Sequence, residues 1–131
     1  MKASTLIADI VPGDVQLSIQ VDILETLVIL SGQVSLQNGA RNISVAEIVI
    51  GDQSGVAILE LIDDQIAQLK QGMHVTLYNV TCKISRGFAR LRSEPFKFQN
   101  ESDGHYNQDI NYSHNISNIE YEPILAALME N

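Results

Sequence analysis

Residues 45–64 read VAEIVIGDQSGVAILELIDD. An apolar run climbs to Ile50, the polar group Gly51-Asp52-Gln53-Ser54-Gly55 follows, and a second apolar run leads to Asp63-Asp64. Two short apolar runs with a glycine-bounded break between them read as two strands joined by a tight turn. Asp52 and Ser54 carry side chains that bond nearby backbone, and glycine supplies the positive φ that such a connection needs. The turn is architectural. A phosphate-binding loop would place a Lys-Ser/Thr pair after the glycines, and none follows here. This predicts strands over about Ile43–Ile50 and Val56–Ile62.

Working outward, Asp9-Ile-Val-Pro-Gly-Asp14 is a turn signal ahead of strict alternation. Val15, Leu17, Ile19, Val21 and Ile23 are apolar, with Gln16, Ser18, Gln20 and Asp22 between them. That pattern gives a strand with one buried face. It continues, bent, through Leu27–Leu36, with Gly32 a candidate kink, and Asn38-Gly39 marks a hairpin turn. After Ile62 the period changes. Asp63 or Asp64 can cap a short helix carrying Ile66 and Leu69, ended by Gly72. A fourth strand follows from about His74 to Ile84. Ser85-Arg86-Gly87 turns into a fifth, Phe88–Ser93. The expected class is all-β: the OB-fold, a five-stranded Greek-key barrel with a short helix between strands three and four. Residues 1–98 form this domain. Residues 99–131 form an acidic, Asn-rich, flexible tail, extended or disordered, with a short helical segment within Glu122–Glu130.

The chain has 131 residues, enough for one domain with one core. It has no apolar run of about 18 residues, so no membrane partner is expected. The start lacks the apolar stretch of a signal peptide, and Cys82 is alone, so an intracellular, reducing setting is the expectation. Five Asn-x-Ser/Thr matches then reflect asparagine abundance. The net charge is −8, but it is unevenly placed. Residues 1–98 hold all eight basic residues against ten acidic ones, while residues 99–131 hold six acidic and no basic residues. Lys83, Arg86, Arg90, Arg92 and Lys97 cluster, opposed within that stretch by Glu94. A nearly neutral body with a local basic stripe is a different object from a uniformly acidic protein.

The ordered set of motifs resembles a family. Ile10-Val-Pro-Gly13, Val21-Asp-Ile-Leu-Glu25, Gln37-Asn-Gly39, Gly51-Asp-Gln-Ser-Gly55 and Leu69-Lys-Gln-Gly72 are similar to stretches of single-OB-fold single-stranded-DNA-binding proteins. These are found in archaea and, in eukaryotes, as the OB subunit of the sensor-of-single-stranded-DNA complex; Asp63-Asp64 resembles the eukaryotic branch. The resemblance covers roughly residues 5–98. It implies single-stranded DNA (or RNA) as ligand and a larger scaffold protein of a multi-subunit complex as partner. It also implies a role in DNA repair, nuclear in a eukaryotic cell, and no cofactor.

Such proteins stack bases on aromatic rings. The positions the family uses fall here on Ile62, Thr81, Ser85 and Arg92. Three lost stacks remove about 3–9 kcal/mol if the terms add. On the fifth strand the family pattern turns Ala89 and Leu91 inward and Phe88, Arg90 and Arg92 outward. With Lys83 and Arg86 in the loop between strands four and five, these form the expected nucleic-acid contact, and guanidinium groups pair with phosphates and stack on bases. Tyr78 is a further candidate contact, or a packing residue. Leu27-Val28-Ile29-Leu30 is apolar where the family is more polar, and is either a buried strand or a protein interface. Phe96 and Phe98 close the barrel bottom or anchor the tail. Cys82 reads as a buried strand residue. The tail reads as solubilising; the resemblance also allows it a partner-binding role or a place in the basic groove. No nucleophile, acid–base pair or metal-ligand spacing appears, so catalysis is not expected. The alternative to nucleic-acid binding is an OB-fold adaptor that docks a scaffold protein.

Overall fold

Alternation along the first strand becomes pleat: Ile19, Val21 and Ile23 are buried while Gln20 between them is exposed. Fully burying each such side chain contributes about 1.5–3 kcal/mol. The computed structural model describes residues 4–102 and 109–119, the side chains of Val34 and Leu36 excepted. Its strands are β1 (Leu17–Leu36), β2 (Gly39–Asp52), β3 (Gly55–Ile62), β4 (His74–Ser85) and β5 (Phe88–Asn100). They close in the order β1-β2-β3-β5-β4. All neighbours are antiparallel except β3 and β5, which meet in parallel at Leu59 and Leu91. The core lies inside, built from residues such as Ile48, Ile50, Leu59, Leu61, Leu77 and Leu91.

The Gly51–Gly55 turn is as expected, and its reach is longer. Asp52 is 1% exposed. Its carboxylate accepts from Ser54 N (2.7 Å), Ser54 Oγ (2.6 Å) and Gly55 N (3.1 Å). Its other oxygen accepts from Ile7 N at 3.0 Å, and Ser54 Oγ accepts from Ala8 N at 2.9 Å. One carboxylate thus holds both the turn and the incoming N-terminal segment.

Several boundaries differ from the sequence reading. Val15 is exposed and Gln16 has φ 56°, so β1 begins at Leu17. The bends in β1 fall between Ile23 and Glu25 and between Thr26 and Val28, where it leaves β4; Gly32 stays in register with Ile43. Beyond the barrel, Ser31–Leu36 and Gly39–Ser44 pair with each other as a projecting arm. The helix expected between strands three and four is a single 3-10 turn, Asp63–Gln65. Asp63 does not cap it: the residue has φ 53°, and its carboxylate accepts from Ser44 N (2.9 Å) and pairs with Arg41. Leu69 is still buried beneath the barrel. β5 runs on past Ser93, and Phe96 and Phe98 pack against the core with ring centroids 5.6 Å apart.

The largest difference concerns the tail. Residues 109–119 fold back over the barrel, with Ile116 and Ser117 buried. Because β3 meets β5 at one position, the β3 amides above Leu59 need other acceptors. His114 O accepts from Val56 N at 2.8 Å and Ser117 Oγ from Ile58 N at 2.8 Å. Asn111 N donates to Asp52 O at 3.1 Å. The helical turns expected within 122–130 lie outside the described residues.

Candidate nucleic-acid interface

On β2, β3 and β5 the core takes alternate residues: Ala46, Ile48 and Ile50; Ala57, Leu59 and Leu61; Ala89 and Leu91. The residues between them point outward. Register places Glu47 opposite Glu60, a like-charged pair that is unfavourable by itself. Two arginines relieve it. Arg90 Nε donates to Glu47 Oε2 at 3.1 Å, and Arg92 Nε donates to Glu60 Oε1 at 2.8 Å. Arg92 also lies 3.6 Å from Glu94. The hydrogen bond to Glu60 raises the Arg92 pKa above its already high ordinary value. Arg90 Nη1 further donates to Ser117 O at 3.1 Å, which ties the returning tail to β5.

The β4–β5 hairpin continues this band of cations. Lys83 lies on β4, in register with Arg90, and not in the loop the sequence assigned it to. Arg86 and Gly87 form the turn with φ 55° and 91°, the pair of positive values that a two-residue hairpin favours. Both Lys83 and Arg86 are exposed. Phe88 is half-buried, with the Arg90 guanidinium 5.9 Å from its ring centroid. The structure thus brings Lys83, Arg86, Phe88, Arg90 and Arg92 onto one surface.

Tyr78 does not join them. It lines a separate groove of about 630 Å³ on the outer side of β1 and β4, with Ser18, Gln20, Thr76, Asn79 and Glu101. Lys97 lies 5.2 Å above its ring. The β3 part of the expected face is also changed. Val56 and Ile58 point outward, yet they are 3% and 8% exposed, because the tail lies on them. Glu47 and Glu60 escaped the sequence reading; acidic residues at outward positions of neighbouring strands were the available signal. Ser117 escaped it as well, and isolated isoleucines at 110, 116 and 119 in a polar tail were its signal.

Leu27, Ile29 and Leu30 are 49%, 55% and 65% exposed, and Val28 is half-buried. The run is therefore open surface on β1, not a buried strand. Cys82 is buried, and burial, aided by Asp14, pushes its thiol up to about 11. Among the described residues no cluster of three or more His, Cys, Asp or Glu side chains is placed to hold a metal ion. No helix among them is long and apolar enough to cross a membrane.

Comparisons with known proteins agree with this architecture. Residues 10–96 match the family described as single-stranded DNA binding protein Ssb-like, OB fold. No curated protein matches the chain. The solution structure of a hypothetical protein from Arabidopsis thaliana superposes with a TM-score of 0.71 at 23% identity, covering 93% of this chain and 88% of that one. That likeness establishes the fold.

Proposed function

The chain belongs to the Ssb-like family of single-stranded-DNA-binding OB-folds, and from that premise we propose that it is a non-enzymatic protein that binds single-stranded nucleic acid, chiefly DNA, in genome maintenance. The observation that carries this reading is the gathering of Lys83, Arg86, Arg90 and Arg92 around Phe88 on the β4–β5 side of the barrel. Phosphates pair with the exposed cations at the hairpin end, and bases meet Phe88 and the guanidinium planes. Affinity is modest. The stacking positions hold Ile62, Thr81 and Ser85, and Glu47 and Glu60 already engage two of the arginines. A nuclear site of action in a eukaryotic cell fits this role.

Anisotropy of a labelled oligo(dT) of about 30 nucleotides tests the reading at low and near-physiological salt. Two phosphate contacts, at Lys83 and Arg86, give a slope of log K against log salt of about −1.4 for a single strand. The double change Lys83→Glu, Arg86→Glu reverses charge at the hairpin end, leaves the Arg90–Glu47 and Arg92–Glu60 pairs in place, and abolishes binding. Full affinity in that variant, or affinity indifferent to salt, refutes the proposed face.

A second reading has its own support. Exposed Leu27, Ile29 and Leu30 lie together on one strand, and clustered apolar surface usually meets a partner. On this reading the barrel is an adaptor docked on a larger scaffold protein. An absence of oligonucleotide binding even at low salt selects it.

A further inference from the structure

Between the bent middle of β1, strands β2 and β3, and the returning tail lies a notch of about 400 Å³. Its apolar lining is Leu24, Leu27, Val49, Val56 and Ile58. Tyr112 also lines it, and this residue is 66% exposed although it is a large aromatic. We propose that this notch is a nucleobase-binding subsite in which Tyr112 is the stacking platform, so that the tail supplies the ring that β3 and β4 lack. The inference rests on the nucleic-acid reading above and adds a site to it.

Three observations carry it. An exposed tyrosine beside an apolar recess presents the surface on which a base stacks, and such stacking is indifferent to sequence. Asn115 and Asn118 also line the notch: the Asn115 Oδ1 already accepts from Ser117 N at 2.9 Å and leaves its NH2 to donate, while the Asn118 carboxamide carries both a donor and an acceptor for a base edge. The notch also adjoins the cationic band. Ile58 in its lining donates to Ser117, whose carbonyl accepts from Arg90. Val49 of β2 lines the notch and Ser117 of the tail links it to Arg90 on β5, so both flanks of the face border the site. A strand whose phosphates follow the arginines then has a base within reach of Tyr112. Glu25 at the rim is a carboxylate, which disfavours a phosphate there and suits an amino-bearing base edge.

The position of Tyr112 makes the test clean, because an exposed residue can be changed without disturbing the core. Tyr112→Ala weakens oligonucleotide binding about 5- to 150-fold, the range of one lost stack. Tyr112→Phe restores it. The chain contains no tryptophan, so Tyr112→Trp installs a single fluorophore whose emission is quenched as the oligonucleotide is added. An abasic strand of equal length binds wild type and Tyr112→Ala alike. If wild type and Tyr112→Ala bind oligo(dT) equally and the tryptophan is not quenched, the notch is not a base site, while the basic face survives. If wild type does not bind at low salt, the nucleic-acid reading itself falls and takes the subsite with it.

Discussion

The two ends of β3 are held by different physics. At the Gly55 end, Asp52 is buried under four hydrogen bonds, and the amides of Val56 and Ile58 are closed by the returning tail. At the Ile62 end the ties are ion pairs: Glu60 with Arg92 and Asp63 with Arg41, the latter with its arginine 60% exposed. Buried, hydrogen-bonded polar groups are costly to disturb, whereas an exposed pair such as Arg41–Asp63 contributes little and is screened by salt. The rigid end of the strand lies beside the tail, and the adjustable end lies where a ligand competes for arginines.

Asp52→Ala breaks the first end most severely. It strands buried donors from Ile7 and the turn, and costs about 3 kcal/mol or more in chemical denaturation. A loss below 1 kcal/mol contradicts the role given to this carboxylate. Ser117→Ala is milder: Ile58 loses its acceptor, stability falls by about 1–2 kcal/mol, and hydrogen exchange at the Ile58 amide quickens. An unchanged exchange rate there means the tail does not hold β3. At the other end, Glu60→Gln costs about 1 kcal/mol at low salt and less at high salt. Because it releases Arg92 from a carboxylate, it also tightens oligonucleotide binding; weaker binding removes Arg92 from the interface. Arg41→Ala has the smallest effect, below about 0.5 kcal/mol.

This contrast also separates what the sequence showed from what it hid. The strand pairs, the Asn38-Gly39 hairpin and the Gly51–Gly55 turn rest on period-2 alternation and local turn chemistry, both readable from neighbours in the chain. Asp63 rests on distance. A carboxylate ahead of an apolar turn looks like a cap, and only the folded arm brings Ser44 to it, 19 residues away in sequence. The same holds for Ser117, which meets Ile58 across 59 residues. The basic stripe was legible as charge; the outward positions of Glu47 and Glu60 could be read from alternation, but their pairing with Arg90 and Arg92 depends on β3 meeting β5, which the local pattern does not show. Tyr112 was one of several tyrosines in a polar stretch, and its neighbours exist only once the tail returns.

That return also sets an order of events during synthesis. A chain emerging from its N-terminus completes all five strands by Asn100, before residues 109–119 are available. Until they arrive, β3 and β5 are joined at Leu59 and Leu91, and the amides of Val56 and Ile58 lack their acceptors. An open strand edge recruits other chains. The nascent barrel is therefore most prone to mispairing in the interval between the fifth strand and the returning segment, because the residues that close it are made only after every strand they close.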